Sequence, residues 1–166
     1  MTPEQNALFR PLWRDAGEWQ EAEEREDWKG VGLTQNHAEK GRDMDWKLEL
    51  IAVPVSDVDR AKAFYTEAFG FNLDHDHVVS EELRFVQLTP PGSGCSIAIG
   101  AGLTDAAPGS MKGLQLVVAD IEAARAELVE RGATVSDVQD FPWGRFLFLA
   151  DPDGNAWAVQ EIPPRP

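Results

Sequence analysis

One arrangement of turns and apolar runs occurs twice in this chain, about sixty residues apart, and a chain built from two copies of one supersecondary unit has few ways to bury its core. The first copy opens with residues 48–55, a β-branched run of the kind that forms strands, and stops at Ser56-Asp57, a helix N-cap signal. Val58, Ala61, Phe64, Tyr65 and Ala68 then keep one helical face apolar, and Gly70 stands where a C-terminal glycine is expected. Strand-like runs follow near 71–77, 83–88 and 95–99, parted by polar and turn-rich stretches at 80–82 and 90–94. The second copy has a strand at 114–118, a cap at Asp120, an apolar helix face of Ile121, Ala124, Leu128 and Val129, and a stop at Gly132. Its strand-like runs lie near 134–138, 145–149 and 156–159, and Arg145-Phe-Leu-Phe-Leu149 matches Arg84-Phe-Val-Gln-Leu88 in phase. Residues 101–112, rich in Gly, Ala and Pro, join the copies. The order β-α-β-β-β in each predicts an α+β fold with modules at about 48–100 and 112–161.

Residues 1–43 differ in character. They are rich in Glu, Trp and Gln, and Leu8, Leu12, Ala16 and Trp19 recur at helical spacing before Gly30 and Gly32. The expectation is an N-terminal helical extension and linker over 1–43, followed by the main domain over 44–166. With 166 residues, 43% of them hydrophobic, one domain with a real core plus this appendage is the natural size.

The formal net charge of −14 argues against nucleic acid or an anionic membrane as partner, since phosphate binding draws on clustered Lys and Arg. No run approaches the roughly 20 apolar residues of a membrane span, and no basic-then-apolar leader opens the chain, so a cytoplasmic location is expected. The single cysteine, Cys95, has no partner within the chain for a disulfide or a metal knuckle.

Two tandem units of this order resemble the vicinal-oxygen-chelate superfamily of glyoxalase, bleomycin-resistance and dioxygenase-like proteins. The residues that carry the likeness are Val55-Ser-Asp-Val-Asp-Arg-Ala-Lys-Ala-Phe-Tyr65, Phe69-Gly-Phe71, Val118-Ala-Asp120, Gly132 and Asp151-Pro-Asp-Gly-Asn155. Each has a structural reason as well: caps for Asp57 and Asp120, core packing for Phe64 and Tyr65, a tight turn at 151–155. The resemblance implies that the modules form a curled, partly closed mixed sheet around a central pocket, and that the protein is a homodimer. In metal-dependent members the ligands project from the first and last strands of each module. Those places carry over to Leu50, Ala98, Gly113 and Ala158, none of which can donate to a metal, so neither a metal nor another cofactor is expected.

Other polar residues then become the candidates. His75 and His77 alternate with Asp74 and Asp76, which puts the imidazoles on one strand face and the carboxylates on the other; they are candidates for proton transfer or, with a third donor, for a metal. By strand parity Gln115 and Gln160 share the pocket side with Gly113 and Ala158, and Ser96 shares it with Ala98; ligand recognition competes there with internal pairing. Trp143 could stack on a flat ligand and Arg145 could pair with an anion, although Arg84 in the same place of the first copy also suits a surface role for Arg145. Trp157 should point away from the pocket, under the helix layer. The expected function is a metal-free pocket for a small, partly aromatic or apolar molecule, with the acidity compatible with a cationic one. The alternatives are a metal-independent lyase or isomerase, or a metalloenzyme with non-standard ligands including His75 and His77.

Overall fold

The computed structural model describes residues 46–162, so the expected helical extension at 1–43 lies outside the described residues. The first module runs β1 (Leu50–Ala52), α1 (Val58–Ala63, continued by a wider π turn over Phe64–Ala68), β2 (Asn72–Val78), β3 (Arg84–Thr89) and β4 (Ser96–Ile99). The second runs β5 (Leu114–Val118), α2 (Ile121–Glu130), β6 (Gln139–Phe141), β7 (Gly144–Ala150) and β8 (Ala156–Glu161). Both helices start as their sequences require. Asp57 accepts the Arg60 amide at 3.0 Å and Asp120 accepts the Ala123 amide at 2.9 Å, and Gly70 and Gly132 leave the two helical segments at φ of 70° and 84°.

Within each module the first strand lies parallel to the last, and the other pairings are antiparallel, giving the orders β1-β4-β3-β2 and β5-β8-β7-β6. The strand expected at 134–138 is displaced. Only an isolated bridge joins Val135 to Leu149, and β6 begins at Gln139. The Ser136 hydroxyl explains the gap, because it takes the Phe148 amide at 2.9 Å in place of a backbone carbonyl, while Arg125 takes the Ser136 carbonyl at 3.0 Å.

The expectation of one curled, partly closed sheet is corrected. The strands fall into two separate four-stranded sheets, each closing its ladder within its own module. The bulky side chains of both modules join in one cluster instead of lining a central cavity: Val53, Tyr65, Phe71, Leu88 and Ile99 with Leu114, Ile121, Leu147, Trp157 and Val159. Trp157 does turn toward the helix layer, where its ring meets Tyr65, Phe69 and Phe71 at centroid distances of 5.9, 5.3 and 5.9 Å.

A hydrogen-bond knot ties the modules within this core. The buried Tyr65 hydroxyl donates to Asp151 Oδ2 at 2.8 Å and accepts the Trp157 indole N–H at 3.2 Å. Asp151 Oδ1 receives the amides of Asp153 and Asn155, and Asn155 Nδ2 reaches across to the Pro54 carbonyl at 2.9 Å. The turn at 151–155 is thus a tight turn, as its composition predicts, and also the fastening between copies. Burial, reinforced by Asp151, raises the Tyr65 phenol far above its ordinary value, so it remains a donor.

On the helix side of each sheet the repeat preserves an arginine clamp. Arg84 binds Asp76 on β2 and Asp59 in the first turn of α1; Arg145 binds Asp140 on β6 and Glu122 in the first turn of α2. Asp59 and Glu122 each stand two residues past their cap. Among the described residues no helix is long and apolar enough to cross a membrane.

Candidate functional site

Strand alternation leaves each sheet a second face, turned away from the shared core. On the second module this face is aromatic. Phe146 and Phe148 project from β7, their rings nearly parallel at 8° with centroids 6.2 Å apart, beside the small Ala156 and Ala158 of β8. Phe141 meets Phe146 edge-on at 5.5 Å, and Trp143 stacks on Phe141 at 5.6 Å and 21°. Small residues on one strand let large rings on the next lie down across them. Phe141, Trp143, Phe146 and Phe148 line a shallow apolar depression, with the rings of Phe146 and Phe148 buried and Trp143 at its rim.

At its border lies an amide relay. Gln160, nearly buried, donates from Nε2 to the Trp143 carbonyl at 3.0 Å and accepts the Gln115 Nε2 at 2.6 Å on its Oε1. The sequence left ligand binding and internal pairing open for these two, and the structure pairs them. Gln115 remains exposed at its outer end.

The corresponding face of the first module is polar and open. Ser96, buried on β4, accepts the Gln87 amide at 3.1 Å and lies 2.6 Å from the Thr89 hydroxyl, which in turn donates to Asp74. Since the one Thr89 hydrogen goes to Asp74, Ser96 must donate to Thr89. The chain therefore runs one way, from Gln87 through Ser96 and Thr89 to the carboxylate. His75 and His77 stand exposed on the same face, opposite Gln87 and Phe85, with rings 5.6 Å apart at 26°.

The parity expected for 74–77 holds for the histidines and fails for the aspartates. A register shift between Leu73 and His75 puts Asp74 on the histidine face, while Asp76 turns to the helix side to meet Lys62 at 2.8 Å and Arg84 at 2.9 Å. A bulge adds one residue and so reverses the side chains on one side of it. The hydrogen bonds of Arg84, then of Lys62, hold the Asp76 carboxyl well below the usual carboxylate range.

Arg145 is likewise placed on the helix side of β7, opposite Phe146, with its guanidinium engaged by Glu122 and Asp140 and 3.9 Å from Glu161. It faces away from the aromatic depression. Leu50 and Ala98 lie on the polar face of the first sheet, and Ala158 on the aromatic face of the second, with Gly113 just before β5. These four places offer leucine, alanine and glycine side chains, which do not fit a metal. Among the described residues no three His, Cys, Asp or Glu side chains gather to hold one, and none joins His75 and His77 as a third donor.

The sequence reading passed over Phe146, Phe148, Gln87 and Thr89. Their signal was present in Phe146-Leu-Phe148 set against Ala156-Trp-Ala158: two large rings and two small residues on matching phases of adjacent strands.

Comparison with known proteins places this fold in a family. A sequence model of the glyoxalase/bleomycin resistance protein/dioxygenase superfamily matches residues 47–159. The chain belongs to this superfamily. Its curated relatives include the uncharacterized Bacillus subtilis protein YetH, 26% identical over 113 residues that make up 67% of this chain and 94% of YetH. Solved members of similar structure include TnmS3, an antibiotic binding protein from Streptomyces sp. CB03234, 36% identical with a TM-score of 0.66 over 72% of this chain and 98% of that one. A second superfamily protein from the same organism is 38% identical with a TM-score of 0.61, over 69% and 99% of the two chains. A third, from Sphaerobacter thermophilus, is 31% identical with a TM-score of 0.63, over 70% and 98%.

Proposed function

We propose that this protein is a cytoplasmic, metal-independent binder of a small aromatic or apolar molecule, and that it works as a homodimer. The observation that carries the proposal is the ladder of Phe141, Trp143, Phe146 and Phe148 on a face whose metal positions hold Ala158 and Gly113. Four aromatic rings gathered beside the small Ala156 and Ala158 give this part of the second module an apolar, aromatic character that suits a guest of the same kind. The likeness to TnmS3, an antibiotic binding protein, supports sequestration of an antibiotic-like compound as the biological use.

The homodimer is proposed on the shallowness of this site. Pockets for drug-sized ligands run to roughly 300–1,000 Å³ and cover most of the guest. A depression as shallow as this one does not enclose such a molecule, so a second wall is needed. The open polar face of the first module, with Ser96, Gln87 and Asp74, provides that wall when it comes from a second copy. Trp143, Gln115, Gln160 and Ser96 are then the ligand-binding residues, while Arg145, engaged on the opposite face, is left out.

Turnover is the second reading. It draws on His75 and His77 standing exposed beside Gln87 on the polar face, where an imidazole can exchange protons with a bound molecule. A library of planar aromatic antibiotics, screened by thermal shift and then by product analysis, tests both. Stabilisation with the ligand recovered unchanged supports sequestration. A product whose formation is lost in the double variant His75→Asn, His77→Asn supports the enzyme. No stabilisation by any aromatic compound overturns the proposal.

A further inference from the structure

The outer face of the second sheet is buried, although it is turned away from the core that the two modules share. Phe146 is 1% exposed and Phe148 5%, and Ala156, Ala158 and Gln160 beside them are buried as well. Their neighbours within the sheet do not account for this. Phe148 stands across from Ala158 on β8 and next but one to Phe146 and Ala150 on its own strand, so one large side chain adjoins it, and that from the side. Phe141 adjoins Phe146 edge-on, and Trp143 lies against Phe141. Neighbours in the plane of a sheet shield the edges of a ring, whereas its outer surface stays in water unless something lies across it. Trp143, Phe146 and Phe148 each have contacts beyond those given above, so the face is an occupied one.

We propose that the occupant is the N-terminal segment of the same chain, residues 1–45, laid across the rings by its apolar residues. This segment leads directly into Trp46 and β1. A helix of about 20 residues already spans the roughly 30 Å of a small domain, so a segment of this length reaches any face of this one. It carries Leu8, Leu12, Trp13, Trp19 and Trp28, and thus three of the six tryptophans of the chain, in a stretch too short to bury them in a substantial core of its own. An apolar stripe without a core needs a surface, and rings on an outward face need a cover; each supplies what the other lacks. Residues 163–166, three prolines and an arginine, are too few to cover four rings. The solved relatives named above are matched almost end to end by about seven-tenths of this chain, and the family match starts at residue 47, so those relatives complete this fold with nothing in the place of the segment. On the aromatic-ligand reading above, a guest enters by displacing the segment, and the cover itself does not depend on that reading.

Thiol labelling of the full chain tests the cover. Ala158→Cys in a Cys95→Ser background places a single thiol beneath it, and Val117→Cys places one at an exposed position of the same sheet as a control. A recognition sequence for a site-specific protease, inserted after Gly32, lets the N-terminal part be cut away once the protein has folded. The expected result is slow reaction of Ala158→Cys with a maleimide in the intact chain, a rise of about tenfold or more once the cut peptide is removed, and renewed protection when the peptide is added back. Val117→Cys should react at one rate throughout. Leu8→Asp, Leu12→Asp and Trp19→Asp together should raise the Ala158→Cys rate in the uncut chain as well, with the melting curve still that of a folded domain. Fast labelling in the intact chain, or labelling that stays slow after the peptide is removed, overturns the proposal. Protection that disappears when the uncut chain is diluted also overturns it, and assigns the cover to a second copy. No ligand enters these measurements, so their outcome is separate from that of the aromatic-ligand reading.

Discussion

The Tyr65 hydroxyl and the Asp151 carboxylate, 86 residues apart, meet at 2.8 Å inside the core and join the two modules. Tyr65→Phe would keep the ring packing, leave Asp151 Oδ2 with the Asn155 amide alone and take away the acceptor of the Trp157 indole. A buried donor left unsatisfied costs about 1–3 kcal/mol. Denaturant titration should show a loss in that range with an unchanged slope, and a loss well under 0.5 kcal/mol would mean that water replaces the phenol.

Trp143 should separate binding from folding. It is 37% exposed at the rim of the depression, so Trp143→Ala should cost less stability than truncation of a fully buried ring, while weakening aromatic ligands at least tenfold. Phe148→Ala, at a 5% exposed position, should cost about 3 kcal/mol and weaken binding too. Paired melting and binding curves check both, and equal losses of stability in the two variants would contradict the placement of Trp143.

The acid limb of the stability curve should carry the mark of Asp76. Its folded-state pKa is depressed by Arg84 and Lys62, so it stabilises the fold fully above its unfolded value near 4 and loses that contribution as pH falls below it. Asp76→Asn should therefore flatten the fall in melting temperature between about pH 4 and pH 2 and lower it slightly at pH 7. An unchanged acid limb would show that the pair gains nothing on folding.

Chelation should leave the protein as it is. Dialysis against EDTA, or addition of Zn, Ni, Mn or Fe, is expected to leave both melting temperature and aromatic-ligand affinity unchanged. A metal-specific rise in melting temperature abolished by His75→Asn would revive a site built on His75 and His77.

Much of the fold was legible because its signals are local and doubled. Asp57 and Asp120 cap helices by short-range bonds, Gly70 and Gly132 stop the helical segments by backbone conformation, and each lies where the other copy says it should. The third strand of the second copy was misplaced because a side chain, Ser136, does the work of a backbone group there, and no periodicity records that. The candidate site was legible only in part. Parity put Gln115, Gln160 and Ser96 on the right faces, but it gave no warning of the bulge that turns Asp74 and His75 to one side, and it could not tell a free amide from one held in a relay. The separation of the sheets was beyond reach as well, since residues buried against a shared core and residues facing a pocket are equally apolar.

The clamps of Arg84 and Arg145 lie behind sheets whose fronts have drifted apart. Where the first copy places Gln87 on its front, the second places Phe148, and the arginine three residues earlier in each keeps the same pattern of partners. Each module thus has a constant side that keeps the chain folded and a variable side that is chemically negotiable. A protein divided in this way can change its ligand by substitutions at a handful of forward-facing positions with little effect on its architecture, and directed evolution confined to those positions would have a short path to new small-molecule preferences.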